Sequence, residues 1–135
     1  MNPEVRTRAV DRHMFKNYLK KADEHHKAME MCYERGLWNA CVVNGIHCAI
    51  SSTDALTVFY IGFRHAGERH HDVLNLLQKL DLDKKELQRK SQQFSLLLSI
   101  KNAAEYEERL MDKQDADKAK KACNRLYVWV KEKLN

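Results

Sequence analysis

The segment that most constrains the fold runs from residue 37 to residue 61, LWNACVVNGIHCAISSTDALTVFYI, and it is apolar or small at nearly every position. A proline-free segment of this length and character predicts a long helix that is buried on most sides. Polar residues interrupt the pattern at spacings of three, four and three, which places them on one helix face. These residues, called the polar stripe below, are Asn44, His47, Ser51 and Asp54.

The polar stripe has two interpretations. Polar side chains in a buried helix need hydrogen-bond partners, and neighbouring helices of the same chain can supply them. Alternatively, the stripe lines a binding groove or a contact between two copies of the chain. The pattern alone leaves both interpretations open.

Strong helix breakers are scarce, since the 135 residues contain one proline and four glycines. Together with helical periodicity and short connections, this predicts an all-α fold that forms a single domain over residues 1–135. We expect an up-and-down bundle of four long antiparallel helices, with a short extra helix between the second and the fourth. The expected helices span about residues 8–34, 37–61, 68–80, 84–110 and, from a cap at Asp112 or Asp115, as far as 133.

Charge and hydropathy indicate a cytoplasmic protein that does not contact a membrane. No apolar run is long enough to span a bilayer, and the N-terminal sequence MNPEVRTRAVDRH lacks the apolar core of a signal peptide. The net charge is +5, and acidic residues are interleaved with most of the Lys and Arg clusters. This pattern favours solvated helix faces over a dedicated nucleic-acid patch, although it allows a weak electrostatic preference for phosphate.

The cysteines predict buried free thiols, because they fall on apolar helical stretches without C-x-x-C spacing. Cys41 and Cys48 flank His47 closely, but a single helix cannot wrap a tetrahedral ion by itself. Glu68-x-x-His71 matches only half of a di-iron pattern. We therefore predict neither a metal site nor a cofactor. The four cysteines are Cys32, Cys41, Cys48 and Cys123.

Three segments, taken together, resemble the HEPN superfamily of small helical bundles that are associated with nucleotides and RNA. ERGLWNACVVNGIHCAISSTDAL, residues 34–56, is similar to the family's second helix, with its Gly-aromatic start and polar Ser/Asp pair. GERHHDVLNLLQKL, residues 67–80, is similar to its short third helix, and IKNAAEYEERL, residues 100–110, lies where the family carries a signature near the end of the fourth helix. The resemblance is to a small member of bacterial or archaeal type with a degenerate Arg–His motif.

The resemblance implies metal-independent RNase chemistry in catalytic members, which use an Arg followed four to six residues later by a His. In this chain the matching positions carry Lys101 and Tyr106, while Asn102 matches the polar residue that commonly follows the Arg. Lys lacks the planar fork of Arg, and Tyr is a poor proton shuttle near neutral pH. We expect that the nuclease site is lost, and that Lys101 either pairs with Glu105 or forms a remnant anion site.

The resemblance therefore implies a non-catalytic nucleotide- or RNA-associated binding module that acts as a homodimer or as the partner of a separate nucleotidyltransferase. The alternative is an active, toxin-like RNase of the toxin–antitoxin kind, which would use Lys101, Asn102 and Tyr106. A weaker candidate pair, Arg64 and His70, satisfies the Arg–His spacing but lies between the second and third helices. The residues expected to serve recognition or assembly are Asn44, His47, Ser51, Asp54, His70, Lys101, Asn102, Glu105 and Tyr106.

Overall fold

The fold is described from a computed structural model, which covers residues 6–67 and 72–135 and all but the side chain of Glu105 within them. Five α-helices dominate this part of the chain, and the only sheet is a ribbon of two three-residue strands. A single 3-10 turn, Arg12–Met14, precedes the first α-helix. In chain order the elements are β1 Thr7–Ala9, α1 Phe15–Glu34, α2 Trp38–Ile61, β2 Phe63–His65, α3 Val73–Leu77, α4 Lys84–Tyr106 and α5 Lys113–Leu134.

Helix α2 lies at the centre of the bundle and contacts α1, α4 and α5. It runs parallel to α5, as two hydrogen bonds show: one joins the starts of the two helices and the other joins their ends. The backbone N–H of Met111 donates to Asn39 Oδ1 at 3.0 Å near the start of each helix. Near their ends, the hydroxyl of Tyr60 donates to the carbonyl of Lys133 at 3.3 Å. The indole N–H of Trp129 donates to Glu86, so α4 runs antiparallel to α5.

Two glycines, one within α2 and one directly after it, are required by the local structure. A Cβ at Gly45 would lie 3.0 Å from the sulfur of Met29 and 3.8 Å from Cβ of Cys123. The missing side chain therefore lets α1 and α5 approach α2 closely. Gly62 ends the helix at φ 72°, a left-handed conformation that glycine adopts without steric cost.

The core is built from apolar side chains that all the described α-helices contribute, as the apolar faces in the sequence predict. Its packing is anchored by large aliphatic and aromatic residues that are shielded from water. The largest fully buried side chains are Phe94, Met29, Leu56, Leu76, Leu77, Leu80, Leu87, Leu97, Leu126, Val42, Val58 and Val130.

The all-α bundle predicted from the sequence is confirmed, but its first expected helix begins too early. Residues 7–9 form β1, which pairs antiparallel with β2, the segment expected to be a loop after α2. The N–H of Val10 donates to the carbonyl of Gly62 at 2.9 Å, and the N–H of Ala66 to that of Arg6 at 3.0 Å. These bonds pair backbone N–H and carbonyl groups of the extended segment, which therefore does not need to be helical. The sequence did not predict β1, because three residues are too few to show the alternation of apolar and polar residues typical of a strand.

Smaller corrections concern the third and fourth helices. The described part of the third is confined to Val73–Leu77, and residues 68–71, which include the expected helix start, lie outside the described residues. Helix α4 ends at Tyr106 rather than at residue 110, because Glu107 is extended at φ −101° and ψ 146°. The guanidinium of Arg109 contacts the carboxylates of Glu107 and Asp115, which holds this segment as a connection to α5.

Candidate functional site

Two residues of the polar stripe contact the first helix. The Asn44 amide nitrogen donates to the carbonyl of Ala40 at 2.9 Å, so its Oδ1, 3.1 Å from Nδ1 of His25, accepts from that ring. The ring of His47 stacks on the ring of His25, with centroids 5.2 Å apart and planes at 27°. This half of the stripe is thus a polar seam between α1 and α2. His47 nevertheless remains exposed to solvent, so the expectation of a helix buried along this whole face is wrong there.

Asp54 is the buried end of the stripe, and its pKa is shifted furthest from the usual value among the described carboxyl groups. Its side chain is 9% exposed, and no hydrogen-bond donor among the described residues reaches its carboxylate. Burial raises the pKa of Asp54 to about 7, while the positive charges of Arg64 and Lys21 oppose the rise. The carboxyl therefore sits where α1, α2 and β2 meet, in reach of two cations but with little access to solvent. Ser51, between the two ends of the stripe, is half-buried.

The residues that match the family signature lie near the end of α4, far from Asp54. Lys101 is half-buried and Asn102 is exposed, while Tyr106 is 81% exposed. Helix α4 ends where α2 begins, since the connection that follows it bonds to Asn39. Asp54 lies fifteen residues further along α2, which corresponds to about 22 Å of helix. The structure therefore does not bring the signature and the buried end of the stripe together.

Of the weaker Arg64–His70 pair, only Arg64 lies among the described residues. Arg64 lies on β2, where one terminal nitrogen donates to the carbonyl of His65 at 3.0 Å. Its Nε is buried without a partner among the described residues. His70 lies outside the described residues, as does the side chain of Glu105, so neither the Arg–His pair nor the Lys101–Glu105 pair is described.

A cationic groove beside the strand ribbon was not predicted as a site. It encloses about 430 Å³, and its charged lining residues are Arg8 on β1, Lys21 on α1 and Asp11 between them. The sequence signal was a local one, because residues 6–21 hold six Lys or Arg and one Asp. Over the whole chain of 135 residues, this excess appears only as a modest net charge of +5. The full lining is Arg8, Ala9, Val10, Asp11, Met14, Asn17, Tyr18 and Lys21.

The described residues contain no cluster of three or more His, Cys, Asp or Glu side chains that could hold a metal ion. All four cysteines are free thiols. Cys41, Cys48 and Cys123 are buried as predicted, whereas Cys32 is only half-buried. Burial raises the pKa of the Cys41 thiol to about 11, so it stays protonated and unreactive near neutral pH. No described helix is long and apolar enough to cross a membrane.

These features define an all-α helical bundle. The chain belongs to the HEPN domain family, whose model matches residues 15–133. The match confirms the resemblance that the second, third and fourth helices carry. No similar protein was found among functionally curated sequences.

Two solved structures share the fold. One is TT1696 from Thermus thermophilus, with 14% identity, a TM-score of 0.65, and coverage of 89% of this chain and 98% of that one. The other is ST0689, an archaeal HEPN homologue, with 16% identity, a TM-score of 0.65, and coverage of 90% and 98%. At such low identity the likeness concerns the fold alone.

Proposed function

We propose that this HEPN domain is a non-catalytic nucleotide- or RNA-binding module that works as a homodimer or as the partner of a separate nucleotidyltransferase. The observation that carries the proposal is the pair of substitutions on α4. Lys101 stands where catalytic relatives are expected to have Arg, and Tyr106 stands where they are expected to have His.

The chemistry at the end of α4 supports binding over cleavage. No histidine follows His71 in the sequence, so neither α4 nor α5 carries an imidazole that could move a proton near neutral pH. Lys101 can hold a phosphate as a point charge, but it cannot form the two parallel bonds of a guanidinium. Anion binding survives these changes, whereas general acid–base catalysis does not.

Exposed apolar side chains support assembly with a second protein surface. Leu37 at the start of α2 is 52% exposed, Leu110 after α4 is 77% exposed, and Tyr106 is 81% exposed. All three lie at the end of the bundle where α2 begins and α4 ends. Aromatic and aliphatic side chains exposed together are typical of interaction surfaces.

The test combines binding, cleavage and mass. Wild type and Lys101→Ala are titrated into a fluorescent oligouridylate by anisotropy, and the same samples are checked for RNA fragments on a gel. We expect wild type to bind without cleavage and to elute with the mass of a dimer at micromolar concentration. Lys118→Ala, which removes an exposed lysine of α5, is the matched control.

Two results would contradict the proposal. RNA fragments that disappear in Lys101→Ala would assign the chain to the active RNases instead. The whole proposal would be contradicted by a chain that is strictly monomeric and binds neither RNA nor mononucleotides. Such a chain would also have to capture no nucleotidyltransferase from the native cell.

A further inference from the structure

The excess of positive over negative charge in this chain lies within one segment, residues 6–21. Residues 6–21 carry six of the 24 Lys and Arg and one of the 19 Asp and Glu. This leaves 18 positive and 18 negative residues in the rest of the chain, so the whole net charge of +5 resides in these few residues. Such a concentration creates a local field that attracts polyanions.

The fold gathers part of this charge around the cationic groove. Arg8 and Lys21 line it from β1 and α1, and both side chains are exposed. The strand register places Arg8 directly opposite Arg64, which adds a third cation beside the groove. Like charges directly opposite in an antiparallel pair are unfavourable, so an anion that bound here would relieve their repulsion.

The described acids near this groove form no ion pair with its cations, and the buried Asp54 interacts with Lys21 and Arg64 at a longer distance. Among the described residues, no carboxylate lies within ion-pair distance of Arg8, Lys21 or Arg64. The one acid in the lining, Asp11, accepts the backbone N–H of His13 at 2.9 Å and caps the 3-10 turn. At the start of α5, by contrast, Lys113 is paired with Asp117 at 3.1 Å. The groove thus combines positive charge with the exposed hydrogen-bond donors of Arg8 and Lys21.

Aromatic and amide groups complete the lining. The half-buried ring of Tyr18 lies 5.4 Å below the ammonium of Lys21, and Asn17 adds a neutral polar side chain. Grooves that follow a single-stranded nucleic acid combine cations for the phosphates with an aromatic face for the bases.

We propose that the cationic groove binds the phosphates of an RNA strand through Arg8, Lys21 and Arg64. The proposal rests on the RNA-binding function proposed above and assigns it to a surface at the opposite end of the bundle from Lys101. Phosphate contacts of this kind position a strand without reading its sequence.

The test is the salt dependence of binding to a fluorescent oligouridylate of about twelve nucleotides. Three phosphate contacts predict a slope of log affinity against log salt of about −2 for a single strand, and one contact predicts about −0.7. The double variant Arg8→Ala with Lys21→Ala should therefore bind about tenfold more weakly at low salt, with the shallower slope. Lys118→Ala with Lys121→Ala, which removes two exposed lysines of α5, should behave like wild type.

The outcomes separate this inference from the proposed function. If RNA binding is lost in Lys101→Ala but unchanged in the Arg8/Lys21 variant, the groove is not the site and the RNA-binding function stands. If wild type does not bind RNA, this inference is wrong, and the proposed function keeps only its mononucleotide-binding and assembly parts. If it binds phosphatidylglycerol vesicles and not RNA, the groove recognises a membrane surface and the inference is wrong. Unchanged far-UV circular dichroism of each variant shows that lost binding does not reflect unfolding.

Discussion

The buried carboxyl of Asp54 should make the fold less stable as the pH rises. Its folded-state pKa of about 7 lies above the usual 3.8, so between these values the folded state holds a proton that the unfolded state has lost. Stability therefore falls as the pH rises from about 4 to about 7 and then levels off. Because one pKa unit corresponds to about 1.4 kcal/mol, the full cost is about 4 kcal/mol.

Asp54→Asn tests this reasoning, since the amide keeps the shape of the side chain but does not ionise. About 2.5 kcal/mol of the cost falls between pH 5 and pH 8. The variant should therefore gain about that much relative to wild type over this interval, whatever the amide itself costs. Urea unfolding followed by far-UV circular dichroism at the two pH values measures the change. Any pH dependence that the two proteins share cancels in the comparison.

The matched control is Asp81→Asn, which alters an exposed acid and should show the same pH dependence as wild type. The reasoning fails if the difference between wild type and Asp54→Asn stays constant within about 0.5 kcal/mol over the interval. It also fails if the variant becomes relatively less stable at high pH. In that case Lys21 and Arg64 would stabilise an ionised Asp54 more than burial disfavours it.

Three further predictions concern caps, a polar contact and the core. Asp112→Ala removes the capping-box bond in which the Asp112 carboxylate accepts the backbone N–H of Asp115 and should cost about 1 kcal/mol in urea unfolding. Tyr33→Phe removes the 2.5 Å hydrogen bond to Asp117. This bond is the main reason that the pKa of the Asp117 carboxyl lies below its usual value. An NMR titration should show this pKa rising in the variant, and an unchanged pKa would contradict the assignment. Phe94→Ala empties a site that is 1% exposed and should cost about 3–5 kcal/mol, whereas Tyr106→Ala at an exposed site should change stability by less than about 0.5 kcal/mol.

Sequence patterns predicted the long helices because each has a strong local cause. Periodic apolar residues give the buried faces, and side-chain caps at Asp83 and Asp112 begin α4 and α5. The strand ribbon had no such cause, because β1 exists only through its pairing with a distant segment of the chain, β2. Interactions of this kind cannot be seen in a window of neighbouring residues.

The candidate site was predictable to a smaller extent, for a related reason. The spacing of Asn44 and Asp54 correctly placed them on one helix, but it could not show that His25 would contact one and that Lys21 would lie near the other. The cationic groove depends on the same tertiary pairing, since Arg8 faces Arg64 only after β1 and β2 join. The sequence can therefore predict which residues share one face of a helix. A site formed by residues from different helices and strands can be identified only once the three-dimensional structure is known.

The position of the two candidate anion sites follows from the direction of α2. Its start lies beside the end of α4, where Lys101 is found, and its last residue, Ile61, leads through Gly62 into β2 and Arg64. Helix α2 has 24 residues, which corresponds to about 36 Å. The two sites are therefore separated by most of the length of the bundle, beyond the screening length of about 8 Å at physiological salt. Lys101 and the groove therefore cannot contact the same phosphate, and a substitution at Lys101 leaves the charge at the groove unaffected.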